Sequence, residues 1–350
     1  MTAILDHYLE SHSDATPGRV QARRAAELLV EWLVGVQRKT RATAADFSGV
    51  WQQEFIRWLA AEKKHACGTI SREMSVIAAA MGHALKRIIV EEEGKKREVQ
   101  LLKFAVPVIY KNEEVSRLTG LAEPAPRDWL PTWEQMANFI DRIGRRTANG
   151  EWNKDSENLF RFTVILLNTW ARPEAILDLK VSTQVNFEAG IVKLNPPERK
   201  QTKKVRPAIA LTENLSGWLR TWGDDRPIHV DGEPVGSMKR TFKRHALALE
   251  LPKFTPYTIR HFMATNVRRT EGVTVDREQR QEWLGHKKQD TTSWYEHHDP
   301  EWLLEARRAT DQIILRLNGL LKKRTLLPSC SEVAPKSSVE RGPLKLVVSK

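Results

Sequence analysis

Trp283-Leu284-Gly285-His286, followed by Thr291-Thr292-Ser293-Trp294-Tyr295, is the stretch that decides the reading of this 350-residue chain. It sets a histidine just after a tight glycine turn and a tyrosine nine positions beyond that histidine. Upstream stands Tyr257-Thr258-Ile259-Arg260-His261, and far upstream Trp170-Ala171-Arg172-Pro173. Two arginines, a histidine and a tyrosine in this order are the parts of a phosphate-gripping site with a built-in nucleophile. Breaking a phosphodiester without a metal needs an in-line nucleophile, fixed positive charge for the phosphorane and an acid for the leaving oxygen. Arginine suits the second task, because its planar fork holds two non-bridging oxygens at once.

Each part alone is a weak signal. Arg172 follows an apolar segment and precedes Pro173-Glu174-Ala175-Ile176-Leu177-Asp178-Leu179. Taken by itself it reads as a structural salt bridge to Glu174 or Asp178. The run from Arg199 to Arg206 has five basic residues in eight and reads mainly as a solvated hairpin tip. His261 reads as a packed core histidine. Tyr295 alone would be a core aromatic beside Trp294. His297 and His298 are adjacent, so they point different ways, and no further ligand completes a tetrahedral set. No metal is expected. The chain has no GxxxxGK[ST] loop and no GxGxxG after a strand, so no nucleotide or other cofactor is expected either.

Charge points to the partner. Lys and Arg number 56 against 44 Asp and Glu, a formal net charge of +12, which favours a polyanion through counterion release. Two cysteines, Cys67 and Cys330, form no CxxC pair, so neither a disulfide framework nor a zinc site is indicated and a reducing cytoplasm suits the chain. The opening residues lack a basic stretch before an apolar run, so no signal peptide is expected. No segment reaches the ~20 apolar residues of a membrane span; the run from Leu28 to Val36 is broken by Glu31.

The first half reads as helices. Ala22, Ala25, Ala26, Leu29, Trp32 and Leu33 fall on helical spacing. The next helix carries Phe47, Val50, Trp51, Phe55, Trp58 and Leu59, with Thr43 or Asp46 as its cap. A third runs from Ser71 to Ile88, with Met74, Ile77, Met81 and Leu85 on one stripe. The charged segment from Glu91 to Arg97 reads as a turn or hairpin tip, and residues 113–118 as a short helix. The proline-bearing segment 120–130 reads as a linker. A helix from Thr132 and an apolar one over 158–170 follow. Segments 185–187, 191–194 and 208–211 read as short strands, with Glu188-Ala189-Gly190 as a turn. Helices resume at Leu215 and continue to about residue 320. The domain plan is an extension over 1–19, a helical domain over 20–119, the linker, a mixed domain over 131–321 and a flexible tail over 322–350.

These boxes together resemble the tyrosine recombinase (phage integrase) family, over about residues 20–320. The resemblance implies a mainly α fold with a small antiparallel β-sheet. A helical, SAM-like core-binding domain would precede a mixed α/β catalytic domain. It implies a site-specific recombinase that cleaves and rejoins duplex DNA through a 3′-phosphotyrosine, for integration, excision or resolution of a mobile element or replicon. Arg172 and Arg260 match the family's two catalytic arginines, His286 its Leu-Gly-His histidine and Tyr295 its nucleophile. Tyr257 replaces the first histidine of the His-x-x-Arg-His box. Ala175 stands where an acidic residue usually supports the first arginine. The hairpin register selects Lys203 as general acid, with Lys200 and Lys204 left open by hairpin length. DNA-backbone contacts are expected from Lys63, Lys64, Arg72, Lys86, Arg87, Lys200, Lys204 and Arg206. The resemblance also implies a homotetramer on two DNA sites, with accessory DNA-bending proteins as allowed partners and no membrane. Cytoplasmic, nucleoid-associated localisation follows, and the helix from Pro300 to Leu321 is the candidate for exchange between protomers. Two rivals are a type IB topoisomerase and a non-catalytic DNA-binding regulator.

Overall fold

The computed structural model of the chain describes residues 1–11, 17–92, 95–125, 128–144, 154–202, 204–286, 300–322 and 325–328. The chain divides into two compact units, Met1–Arg127 and Asp128–Lys350. Each has its own apolar core.

The first unit is helical apart from one hairpin. Its elements are α1 (Thr2–Glu10), α2 (Pro17–Glu31), a π-helical turn (Trp32–Val36), α3 (Gly49–Ala61), α4 (Cys67–Ala84), β1 (Ile88–Glu92), β2 (Lys95–Val99) and α5 (Asn112–Thr119). The stripe Ile70, Met74, Ile77, Met81 and Ala84 recurs every three to four residues and is buried along α4. Gln52 of α3 is buried but fully used. Its amide donates to the carbonyls of Phe47 and Pro107 and its oxygen accepts from the Ile109 amide, which ties the extended segment before α5 to α3. The strands β1 and β2 pair antiparallel from Ile88↔Val99 to Glu92↔Lys95.

Three expectations need correction here. The sequence suggests an extension over residues 1–19, yet Met1, Ile4 and Leu5 are buried in the same core as α2 and α4. Thr43 and Asp46 do not cap α3, whose N-cap is Ser48. They close a turn on each other instead, the Thr43 amide and hydroxyl both donating to Asp46 Oδ2 at 2.8 Å. The third helix starts at Cys67 and stops at Ala84, because Ile88 is taken by the hairpin.

The second unit holds α6 (Trp133–Ile143), α7 (Lys154–Thr169), α8 (Pro173–Leu177), α9 (Val181–Gln184), β3 (Val185–Asn186), β4 (Ile191–Lys193), β5 (Ala208–Ala210) and α10 (Glu213–Trp222). A small hairpin, β6 (His229–Val230) and β7 (Glu233–Pro234), follows, then α11 (Lys239–Leu247), α12 (Pro256–Asn266), α13 (Arg277–Trp283) and α14 (Leu304–Leu320). The fold class is therefore mainly α with small antiparallel sheets. Strands β3, β4 and β5 form a meander registered by Val185↔Val192 and Val192↔Ile209. Thr132 and Gln135 close a reciprocal capping box at the start of α6. On α7, the run Val164–Leu167 is buried on all sides, as a central helix demands. Helix α14 packs on α6, α7, α10, α12 and α13 of its own unit through Ala306, Ala309, Ile313, Ile314 and Leu317.

The segment read as a flexible tail from residue 322 is docked where it is described. The Lys322 amide donates to Asp141 Oδ2 at 2.8 Å. Leu326 is buried, and its carbonyl accepts from Asn214 Nδ2 and Trp218 Nε1 of α10. One apolar side chain and an acceptor shared by two buried donors anchor this segment. Residues 329–350 lie outside the described residues.

Candidate active site

The site is built where four chain segments meet. The first is the end of α7. Trp170 has a left-handed backbone, φ +49°, which turns its carbonyl out of the helix direction and leads the chain into Arg172. Arg172 is the N-cap of α8 with extended dihedrals, and Pro173 at the first helical position fixes the turn. The second segment is the arm before β5, whose Val205 carbonyl accepts from Arg172 Nη1 at 2.7 Å. The third is α12. Arg260, seven per cent exposed, donates from Nη1 to the Trp170 carbonyl at 2.6 Å and from Nη2 to the Leu284 carbonyl at 2.7 Å. The fourth is the end of α13. There the Gly285 amide donates to the Glu282 carbonyl and the His286 amide to the Gln281 carbonyl, a Schellman closure with Gly285 at φ +64°.

The glycine at 285 is dictated twice. Its left-handed backbone disfavours any Cβ. A Cβ there would also lie 2.5 Å from the Val205 carbonyl oxygen and 2.8 Å from Pro207 Cδ. So the Gly285-His286 turn and Arg172 press on the same peptide of the basic arm. Trp283 completes the frame, its Nε1 donating to the Thr169 carbonyl at 3.0 Å and its ring tilted against Trp170 at 5.0 Å.

Electrostatics follow from this crowding. Burial first, and then the neighbouring Arg172 charge, pull the Arg260 pKa down to about 10, with Tyr257 opposing. His286 is pushed below the ordinary imidazole value by desolvation, then by Arg260 and Arg172. Among the described residues no carboxylate forms an ion pair with either arginine. Asp178 pairs with Arg206 at 2.6 Å rather than with Arg172, and Glu174 is exposed on α8. Ala175, at the usual acidic position, is buried in the core. The two neighbouring cations are held by carbonyls rather than carboxylates, and a buried charge calls for a counter-charge or dense hydrogen bonding.

Arg172, Arg260 and His286 are thus brought together, and Tyr257 lies one turn from Arg260 on α12. Lys203, Tyr295, His297 and His298 lie outside the described residues. Lys200 and Lys204 are exposed beside the site. Arg206 has a side chain ten per cent exposed and is paired with Asp178. In the first unit Lys63 is likewise engaged, by Glu31 at 2.6 Å and over the Trp58 ring. Lys64, Arg72, Lys86 and Arg87 are exposed, with Arg87 facing Glu98 at 3.7 Å. His261 is exposed and not a core residue, because the buried face of α12 runs through Ile259, Phe262 and Met263. The carbonyls of Trp170, Val205 and Leu284 and the Trp170–Trp283 pair escape a sequence reading; the aromatic at both boxes is their one trace.

Residues 134–301 match the phage integrase family model. The Tn1549 transposon integrase, solved with transposon right end DNA, is similar at 14% identity and a TM-score of 0.56, over 87% of this chain and 97% of that one. XerH site-specific recombinase on a difH substrate gives 16% identity and 0.51, over 87% and 92%. A lambda integrase tetramer on a Holliday junction gives 16% and 0.51, over 85% and 77%. No curated protein matches the sequence. Fold and family model agree: over residues 134–301 this chain carries a domain of the phage integrase family.

Proposed function

We propose that the protein is a tyrosine-type site-specific recombinase that cleaves and rejoins duplex DNA without metal or nucleotide. The observation that carries this reading is the arginine pair. Arg172 and Arg260 are fixed by backbone carbonyls, next to each other and to His286, in a site built for an oxyanion. Each guanidinium has five N–H donors, so the carbonyl bonds leave donors for two non-bridging phosphate oxygens. The Tyr295 hydroxyl gives up its proton to solvent water as its oxygen attacks phosphorus, forming the 3′-phosphotyrosine bond as the bond to the 5′-oxygen breaks. Lys203 protonates that 5′-oxygen, with Lys200 and Lys204 as the alternatives on the same arm. His286, largely neutral near pH 7 because its pKa is lowered, donates one ring N–H to the phosphate. Tyr257 adds a hydroxyl hydrogen bond where a histidine would otherwise sit. Rejoining is the reverse step with a new 5′-hydroxyl, and the phosphotyrosine conserves the bond energy.

The domain plan of a helical DNA-binding unit before a catalytic unit belongs to the same proposal. So do assembly as a tetramer on two DNA sites, service to a mobile element and work at the nucleoid. The net charge of +12 and the DNA-bound state of the similar structures support it. Among the described residues no helix is long and apolar enough to cross a membrane. The test is a pooled library of nicked duplexes with randomised cores, incubated with the protein in chelator. A band that stays attached to protein through denaturation is expected. A protein that shifts DNA but never forms such a band would instead be a binding regulator.

A further inference from the structure

We propose that residues 325–328 form a clasp that positions the catalytic arginines through a buried chain of amide side chains. The inference rests on the proposed strand-cleavage reading, and its test separates the two. The clasp sits on α10. The Leu326 carbonyl receives both Asn214 Nδ2, at 2.8 Å, and Trp218 Nε1, at 2.7 Å. The Leu326 amide donates to Asn318 Oδ1 of α14 at 2.7 Å, so the segment bridges two helices. Pro328 covers Gly217, where an added Cβ would lie 2.5 Å from Pro328 Cγ. Gly217 stands inside α10, where glycine is a poor helix former, and the close approach of Pro328 accounts for it.

From Leu326 the contact runs inward. Asn214 Oδ1 accepts from Asn168 Nδ2 at 3.0 Å, and Asn168 Oδ1 accepts from the Thr212 hydroxyl. Asn168, Thr212 and Asn214 are all buried, so each amide orientation depends on the next. Asn168 lies in the last turn of α7, directly before Thr169 and Trp170. The carbonyls of those two residues receive Trp283 Nε1 and Arg260 Nη1. The clasp therefore ends two residues from the carbonyl that orients Arg260 and four from Arg172. Asn168 and Asn214 are positioning residues in this account; neither touches the DNA phosphate.

Gly217→Ala is the clean variant, since alanine favours the helix while its Cβ displaces Pro328. Trp218→Phe is the second, removing one donor while keeping an aromatic ring between Phe160 and Trp222. Two readouts are taken. Amide exchange without DNA follows residues 322–328 and 164–172. Single-turnover cleavage at saturating DNA is measured beside DNA affinity. Both variants should exchange faster over both segments. Cleavage should fall by about ten- to a hundredfold at unchanged affinity, the scale of a small misplacement at a distance from the chemistry. A released clasp with unchanged exchange over 164–172, or with cleavage within twofold of the parent, overturns the inference. So does a clasp that stays protected in both variants. If the parent itself forms no covalent adduct, the strand-cleavage reading fails, while the exchange result still decides the coupling.

Discussion

Arg260 and Trp170 are ninety positions apart in the chain, and a 2.6 Å hydrogen bond from the guanidinium to the Trp170 carbonyl joins them. Trp170 offers that carbonyl because its backbone is left-handed, an unfavourable state for a bulky residue. Its ring packs on Trp283, whose Nε1 holds the preceding carbonyl. The strain is thus held by the same contacts that aim the arginine.

Arg260→Lys should bind DNA yet lose cleavage by about 10²–10³, the usual effect of removing one preorganised transition-state donor. A lysine keeps the charge but cannot bridge the Trp170 and Leu284 carbonyls with one planar fork. Arg172→Ala should lose a similar amount. Single-turnover rates within a few-fold of the parent would return both arginines to a structural role.

Gly285→Ala tests the convergence of the turn with the basic arm. The left-handed backbone and the contact with the Val205 carbonyl should together lower stability by at least about 2 kcal/mol and depress cleavage. Thermal melts alongside cleavage rates check this. A variant as stable and active as the parent would mean that the turn does not rest on Val205.

Much of this architecture is legible in the sequence, and the limit has a physical origin. The stripe along α4 and the strands β3, β4 and β5 follow from apolar periodicity, which side chains carry openly. Arg172, Arg260 and His286 stand out through the boxes around them. The acceptors that orient the two arginines are main-chain carbonyls, which any residue supplies, so no letter marks Val205 or Leu284. Arg206 reads as one more exposed base until the fold brings Asp178 to it. The docking of Leu326 depends on Asn214 and Trp218, more than a hundred positions away. Local polarity says nothing of such a pairing.

Stability should depend on pH through Asp311 of α14. Desolvation first, with Glu213 adding, raises its pKa from the ordinary value to about 6 against the backbone donors of Asn214 and Glu213 and the charge of Arg307. The folded state therefore holds this proton more tightly than the unfolded one. The contribution is complete below about pH 4 and is lost as pH rises through about 6. Asp311→Asn should raise the stability most above about pH 7, by at most about 3 kcal/mol, and the gain should vanish towards pH 4. Melts of both proteins across that range decide it; a pH-independent difference would assign the effect to packing.

The central claim is a covalent bond between Tyr295 and DNA, and mapping that bond tests it most directly. The denatured adduct from the nicked-duplex library would be digested with protease and nuclease and its modified peptide sequenced by mass spectrometry. The account predicts a nucleotide remnant on Tyr295, a free 5′-hydroxyl on the released strand and no adduct from Tyr295→Phe despite retained DNA binding. An adduct mapped to another residue, or one that survives Tyr295→Phe, would contradict it.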